Sequence, residues 1–154
     1  MVGPTLTAAI SLPDSLIPSE SPPLPTSLSS FPPVPEPGGI SGQLSYPSEF
    51  IPPLRVVAFD TENPSNYYYI DTIQNQFDYL ISGLPAGEYH VVSYVIGSPT
   101  QASGYTQMVP CGLAYGCNDH ALIDVIVTSG NTTTGINPGD WYGDSAAFPP
   151  MPNS

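Results

Sequence analysis

Beyond residue 38 the chain is a series of short apolar runs with a period of two, broken by proline, glycine and asparagine clusters. The pattern predicts strands over residues 40–46, 54–60, 67–73, 77–82, 88–95, 104–109 and 121–128. Between them lie PSEFIPP, TENPSN, QNQ, GLPAG, GSPTQAS and a stretch that carries both cysteines. Short strands at near-regular spacing, without helical periodicity, predict an all-β, antiparallel, seven-stranded sandwich over residues 38–128. Residues 129–154 are then a tail, expected to pack on that sandwich through Trp141 and Tyr142.

Two of the strands carry bulk on both faces. In LRVVAFD, Leu54, Val56 and Ala58 alternate with Arg55, Val57 and Phe59; in ALIDVIVT, Ile123, Val125 and Val127 alternate with Leu122, Asp124 and Ile126. A sandwich strand with one wet face would alternate apolar with polar. The outer face is therefore expected to be covered, with Leu122 and Ile126 assigned to a subunit interface. The tyrosine run 67–69 suits a half-buried surface of this kind.

The pattern is absent from residues 1–37, which hold ten of the 21 prolines. Proline fixes φ and removes an amide donor, so this segment is expected to be an extended, polyproline-like arm. Its recurrent apolar residues, among them Leu6, Ile10 and Leu12, exceed what a solvated spacer needs. TLTAAISL, residues 5–12, is free of proline and long enough to add as a strand to a neighbouring subunit, with Leu6 and Ile10 entering its surface.

Charge narrows the partners. Thirteen acids stand against a single basic side chain, Arg55, for a net charge of -12. Such a surface repels nucleic acid and anionic lipid. With no lysine, Schiff-base chemistry and a P-loop are excluded. No run of about 18 apolar residues could span a bilayer. The first residues, MVGPTLTAAISLP, lack a charged n-region, so the expectation is of a chain lying beyond a leader, outside the cell or on its surface.

Cys111 and Cys117 sit in VPCGLAYGCNDH. With His120 they supply at most three zinc ligands, so a local disulfide is the expected state; free thiols and a partial metal site are the alternatives. The histidines, His90 and His120, form no His-x-His or His-Glu-x-x-His pattern, and no Gly-x-Ser-x-Gly elbow is present. Asp140 and Asp144 flank Trp141 in GDWYGD, a grouping open to tail anchoring, glycan contact or acid–base work. Oxygen-rich loops at residues 60–63, at Asn118-Asp119 and at Asn137 offer calcium ligands without a defined spacing, so no cofactor is expected beyond possible calcium. Asn131-Thr132-Thr133 fits the N-glycosylation sequon.

Gly39-Ile40-Ser41-Gly42, Val56-Val57-Ala58 and Leu84-Pro85-Ala86-Gly87-Glu88-Tyr89 together resemble the opening strand, the second strand and the turn of carboxypeptidase regulatory-like domains. These are transthyretin-like (prealbumin-like), Ig-like sandwiches of secreted bacterial proteins. Asn75-Gln76 departs from that pattern by replacing a glycine. The resemblance spans about residues 38–128 and implies a fold and a secreted location, with the domain usually a structural or binding accessory.

Taken with the arm and the two-sided strands, the expectation is a non-enzymatic extracellular subunit that self-assembles into a fibre or surface array. The alternative is a surface-tethered module that binds glycan or protein, with the arm as its stalk. An arm that instead folds back on its own domain remains the competing arrangement.

Overall fold

The computed structural model describes residues 35–153, and the proposed strand at residues 5–12, with Leu6, Ile10 and Leu12, lies outside them. The described chain is all-β apart from a 3-10 turn at Ser145–Ala147. Its strands are β1 (Gly38–Gln43), β2 (Leu54–Asp60), β3 (Tyr67–Asp71), β4 (Asp78–Leu84), β5 (Gly87–Val95), β6 (Ser98–Gly104), β7 (Val125–Val127) and β8 (Thr132–Thr133).

Two sheets form a sandwich. One has the order β4–β1–β8, with β1 and β8 parallel. The other runs β3–β2–β5–β6, and β7 pairs with the first residues of β5. Ile40 of β1, Tyr79 and Ile81 of β4, Leu54 and Val56 of β2, and Tyr89 and Val91 of β5 meet in the inner core. Each fully buried aliphatic side chain there contributes about 1.5–3 kcal/mol. Close approach of the tail to β1 demands Gly42, because a Cβ there would lie 1.8 Å from the Ile136 carbonyl oxygen.

The hairpin after β5 differs from the sequence expectation. GSPTQAS reads as a loop and residues 104–109 as a strand, yet β6 is Ser98–Gly104. Gly97 adopts φ +94°, so Ile96-Gly97 closes a tight turn at the Val95–Ser98 pair, and after a bulge at residues 99–101 the run resumes pairing with β5 from Ala102, opposite Tyr94. Pro99 is tolerated because β6 lies at a sheet edge. Beyond it only an isolated bridge, Thr106 to Leu122, remains. The strand expected over 121–128 likewise shortens to Val125–Val127.

The turn that opens β5 carries the chain from one sheet to the other, since β4 pairs with β1 and β5 with β2. Gly83, the last residue but one of β4, adopts φ +78°, and the Tyr89 hydroxyl donates back to the Pro85 carbonyl at 2.6 Å. The phenol thus ties the Leu-Pro-Ala-Gly turn to the strand that follows it.

Candidate functional site

Both faces of β2 are buried, as its apolar pattern implies, but the cover on the outer face is the chain's own tail. Phe148 joins Val57, Phe59, Val92, Tyr94 and Ala102 in a second core, with Met151 packed beside it. The Tyr94 hydroxyl donates to the Pro149 carbonyl. Gly104 makes room for the Phe148 ring, since a Cβ would lie 2.9 Å from its Cζ. The apolar outer residues of β2 therefore call for no second subunit.

Arg55 stands on the same face, at the far end of the row that continues through Val57 and Phe59. Its guanidinium grips Asp71 through two bonds, Nε to Oδ1 at 2.7 Å and Nη2 to Oδ2 at 2.8 Å. Its Nη1 donates to the Pro152 carbonyl at 2.9 Å, and it stacks 4.4 Å from the Tyr69 ring centroid. The hydrogen bonds from Arg55 hold the Asp71 carboxyl below its ordinary value, and the same bonds raise the guanidinium. The one cation of the chain therefore pins the tail rather than a ligand.

Where the tail enters, Asp140 is bridged to Gly104 by paired backbone bonds of 3.2 Å. Its carboxylate is 0% exposed. The Oδ2 atom accepts from the Thr106 hydroxyl at 2.7 Å and lies 2.6 Å from His120 Nδ1, while Oδ1 accepts from the Tyr142 amide at 3.1 Å. A buried carboxylate requires such donors. These bonds join the end of the cysteine loop to the start of the tail. His90 pairs separately with Asp124, Nε2 to Oδ1 at 2.8 Å. Among the described residues neither histidine hydrogen-bonds a hydroxyl or thiol nucleophile.

Trp141 and Tyr142 part company. Trp141 is half-buried against the inner core, edge-on to Tyr46 at 4.8 Å, with its indole N–H donating to the Ser45 carbonyl at 2.8 Å. Tyr142 is 65% exposed. Adjacent residues of an extended chain point to opposite sides, so only one of the pair can face the sandwich. The deeper anchor is Phe148, with Met151 packed beside it, and FPPMP gives no sign of this in the sequence because it has the composition of a proline-rich end and not of a core segment.

The remaining candidates fall in separate places. Cys111 and Cys117 form a disulfide, with Cα atoms 6.2 Å apart, in the loop between Thr106 and Leu122. Leu122 is half-buried against the chain's own outer core, whereas Ile126 is exposed, so the two do not make one surface. Asn131 is exposed in the turn before β8, with its amide donating to Thr128 and Ser129. The oxygen-rich loops mostly cap their own backbone: Asp60 accepts from Glu62 and Asn63, Asp119 from Ala121, and Asp144 from Ala146. No group of three or more His, Cys, Asp or Glu side chains converges as a metal site among the described residues.

A surface left unpaired is the outer edge of β4. Among the described residues this strand pairs only with β1. Tyr79 and Ile81 point into the core while Leu80, at 48%, is exposed. Next to the start of β4 are Phe77 at 68% and Ile73 at 73%, with Phe50 on the neighbouring loop at 55%. Reciprocal bonds between Ile51 and Asn75 tie the two loops together. An open groove of about 860 Å³, lined by Gly42, Ile70, Gln76, Tyr79 and Leu80, runs alongside. Compared with known proteins, the sequence matches no family model and no curated relative.

Proposed function

We propose that this chain is a non-enzymatic structural subunit of the cell exterior, built on a transthyretin-like sandwich of the carboxypeptidase regulatory-like kind, that assembles with copies of itself. The observation that carries the reading is the edge of β4 that is left open among the described residues, bordered by the exposed Leu80, Phe77, Ile73 and Phe50. An unpaired edge beside apolar side chains is a template for another strand. The segment at residues 5–12 of a second copy supplies that strand, its main chain pairing with β4 and its alternate apolar residues entering the groove. Head-to-tail repetition of the contact builds a filament unless rotation closes it. The disulfide suggests an oxidising environment, which agrees with an extracellular location.

Sedimentation and negative-stain microscopy of the full chain, of a chain lacking residues 1–34, and of Leu80→Lys test this reading. The full chain should form large assemblies and both variants should sediment as monomers. Assemblies that survive the deletion unchanged would refute the arm as connector.

A second reading, a glycan-binding module, is favoured by the groove beside Tyr46 and Trp141. That groove, of about 290 Å³, adds Thr100, Gln101 and Ser145 and has no charged side chain in its lining. Ring faces and uncharged hydrogen-bonding groups suit a neutral sugar. Binding to a glycan array by wild type but not by Trp141→Ala, with the fold retained, would support it.

A further inference from the structure

The tail segment that covers the outer sheet is Phe148-Pro149-Pro150-Met151-Pro152, and the arm ends in Phe31-Pro32-Pro33-Val34-Pro35. The two five-residue motifs differ only in Met against Val. The tail copy shows what such a motif meets on this fold. Its phenylalanine fills the space that Gly104 leaves open among Val57, Phe59 and Tyr94. The first proline carbonyl accepts from the Tyr94 hydroxyl and the last from Arg55 Nη1 at 2.9 Å. Proline suits this role because a pre-extended segment without amide donors loses little entropy on docking and leaves few donors unpaired.

We infer that the outer face of the five-stranded sheet is a receptor for Phe-Pro-Pro-x-Pro segments, which residues 31–35 of a second copy enter in exchange for the tail. Every contact named above uses the shared phenylalanine, the proline main chain or an apolar fourth residue, so the arm motif carries the same recognition chemistry. The occupant comes from another molecule because Pro35 stands against Gly83, Pro85 and Ala86 at the β4–β5 turn, where the Glu36 carbonyl accepts from the Gly130 amide at 3.1 Å. That position is away from the side chains that hold Pro149 and Pro152. The inference rests on the proposed self-assembly only in taking the occupant from a second copy, and the face is distinct from the β4 edge.

The test uses the full chain and a synthetic peptide of residues 29–36, followed by NMR. With the tail docked, the apparent affinity is reduced by the fraction of molecules whose face is open. Phe148→Ala should therefore bind the peptide about tenfold or more tightly than wild type, with shifts at Val57, Phe59 and Tyr94. A peptide whose phenylalanine is replaced by alanine should not bind. Because Phe148→Ala also removes core, Met151→Val provides a second variant that makes the two motifs identical. It should keep wild-type signals at Tyr94 and Arg55. Release of the tail in Met151→Val, or a folded Phe148→Ala that ignores the peptide, overturns the inference. Since neither readout depends on polymer formation, failure of the β4-edge contact would leave this result intact.

Discussion

Raising the pH above about 10 should destabilise this protein through its tyrosines. The Tyr79 and Tyr94 side chains are buried, and each donates its hydroxyl to a carbonyl, of Ile136 at 2.6 Å and of Pro149 respectively. Burial pushes both phenols up from their ordinary value of 10.0, and Tyr89 moves the same way to a smaller extent. An acid whose folded value is raised binds its proton in the native state after the unfolded chain has lost it. Its stabilising effect is complete below about pH 10 and declines as the pH climbs from there toward the folded value. At about pH 11 each such phenol removes about 1.4 kcal/mol, so Tyr79 and Tyr94 together remove about 3 kcal/mol from a stability of about 5–15 kcal/mol. The chain has no lysine and its two cysteines are bonded, so tyrosine dominates the titration in this range. Denaturant melts at rising pH, read by circular dichroism and by tyrosinate absorbance, check the magnitude. Tyr79→Phe sharpens the test. It loses a hydrogen bond and should be less stable at neutral pH by about 1–2 kcal/mol, yet this deficit should shrink by about 1.4 kcal/mol by pH 11. A deficit that stays constant with pH, or full tyrosinate formation while the sheet signal persists, would refute the reasoning.

Three further outcomes follow from the tail and its supports. Arg55→Ala should cost about 1–2 kcal/mol by freeing Pro152 and the packed stem of the arginine. The pair with the half-exposed Asp71 accounts for less than about 1 kcal/mol of that. Because the Asp71 value is lowered, that share is present above its ordinary value of 3.8 and is lost as the pH falls through the folded value, so the gap between acid melts of wild type and Arg55→Ala should narrow by that share at low pH while the part due to Pro152 and the packed stem persists. Asp140→Ala should destabilise by about 3 kcal/mol, because it strands the buried Thr106 hydroxyl and leaves the part-buried Tyr142 amide without its acceptor, and chemical denaturation reads this directly. Reduction of Cys111–Cys117, which closes a separation of six residues, should cost about 2 kcal/mol, checked by thermal melts with and without reductant and by intact mass.

How much of this was legible in the sequence depends on the range of the interaction concerned. Period-two alternation in LRVVAFD and EYHVVSYV, with GLPAG between later strands, determined that the chain would be all-β, because strand geometry sends neighbouring side chains to opposite faces. The close cysteines and the missing lysines likewise set local and compositional limits that no fold could alter. The two-sided burial of β2 was readable as well, but not what covers it. Apolar bulk on an outer face records only that water is excluded, and a tail, an arm and a second subunit exclude water equally well. Only the tertiary structure decided for Phe148 and Met151, by bringing residues some ninety positions distant onto β2 and by leaving a space at Gly104 for one ring. It also decided that Trp141 turns inward and Tyr142 outward, since the bridge between Asp140 and Gly104 sets the phase of that alternation. The hairpin at Gly97 belongs to the same class. A polar run such as SPTQAS has weak strand propensity of its own, and it is a strand here because a positive-φ glycine delivers it to the edge of β5.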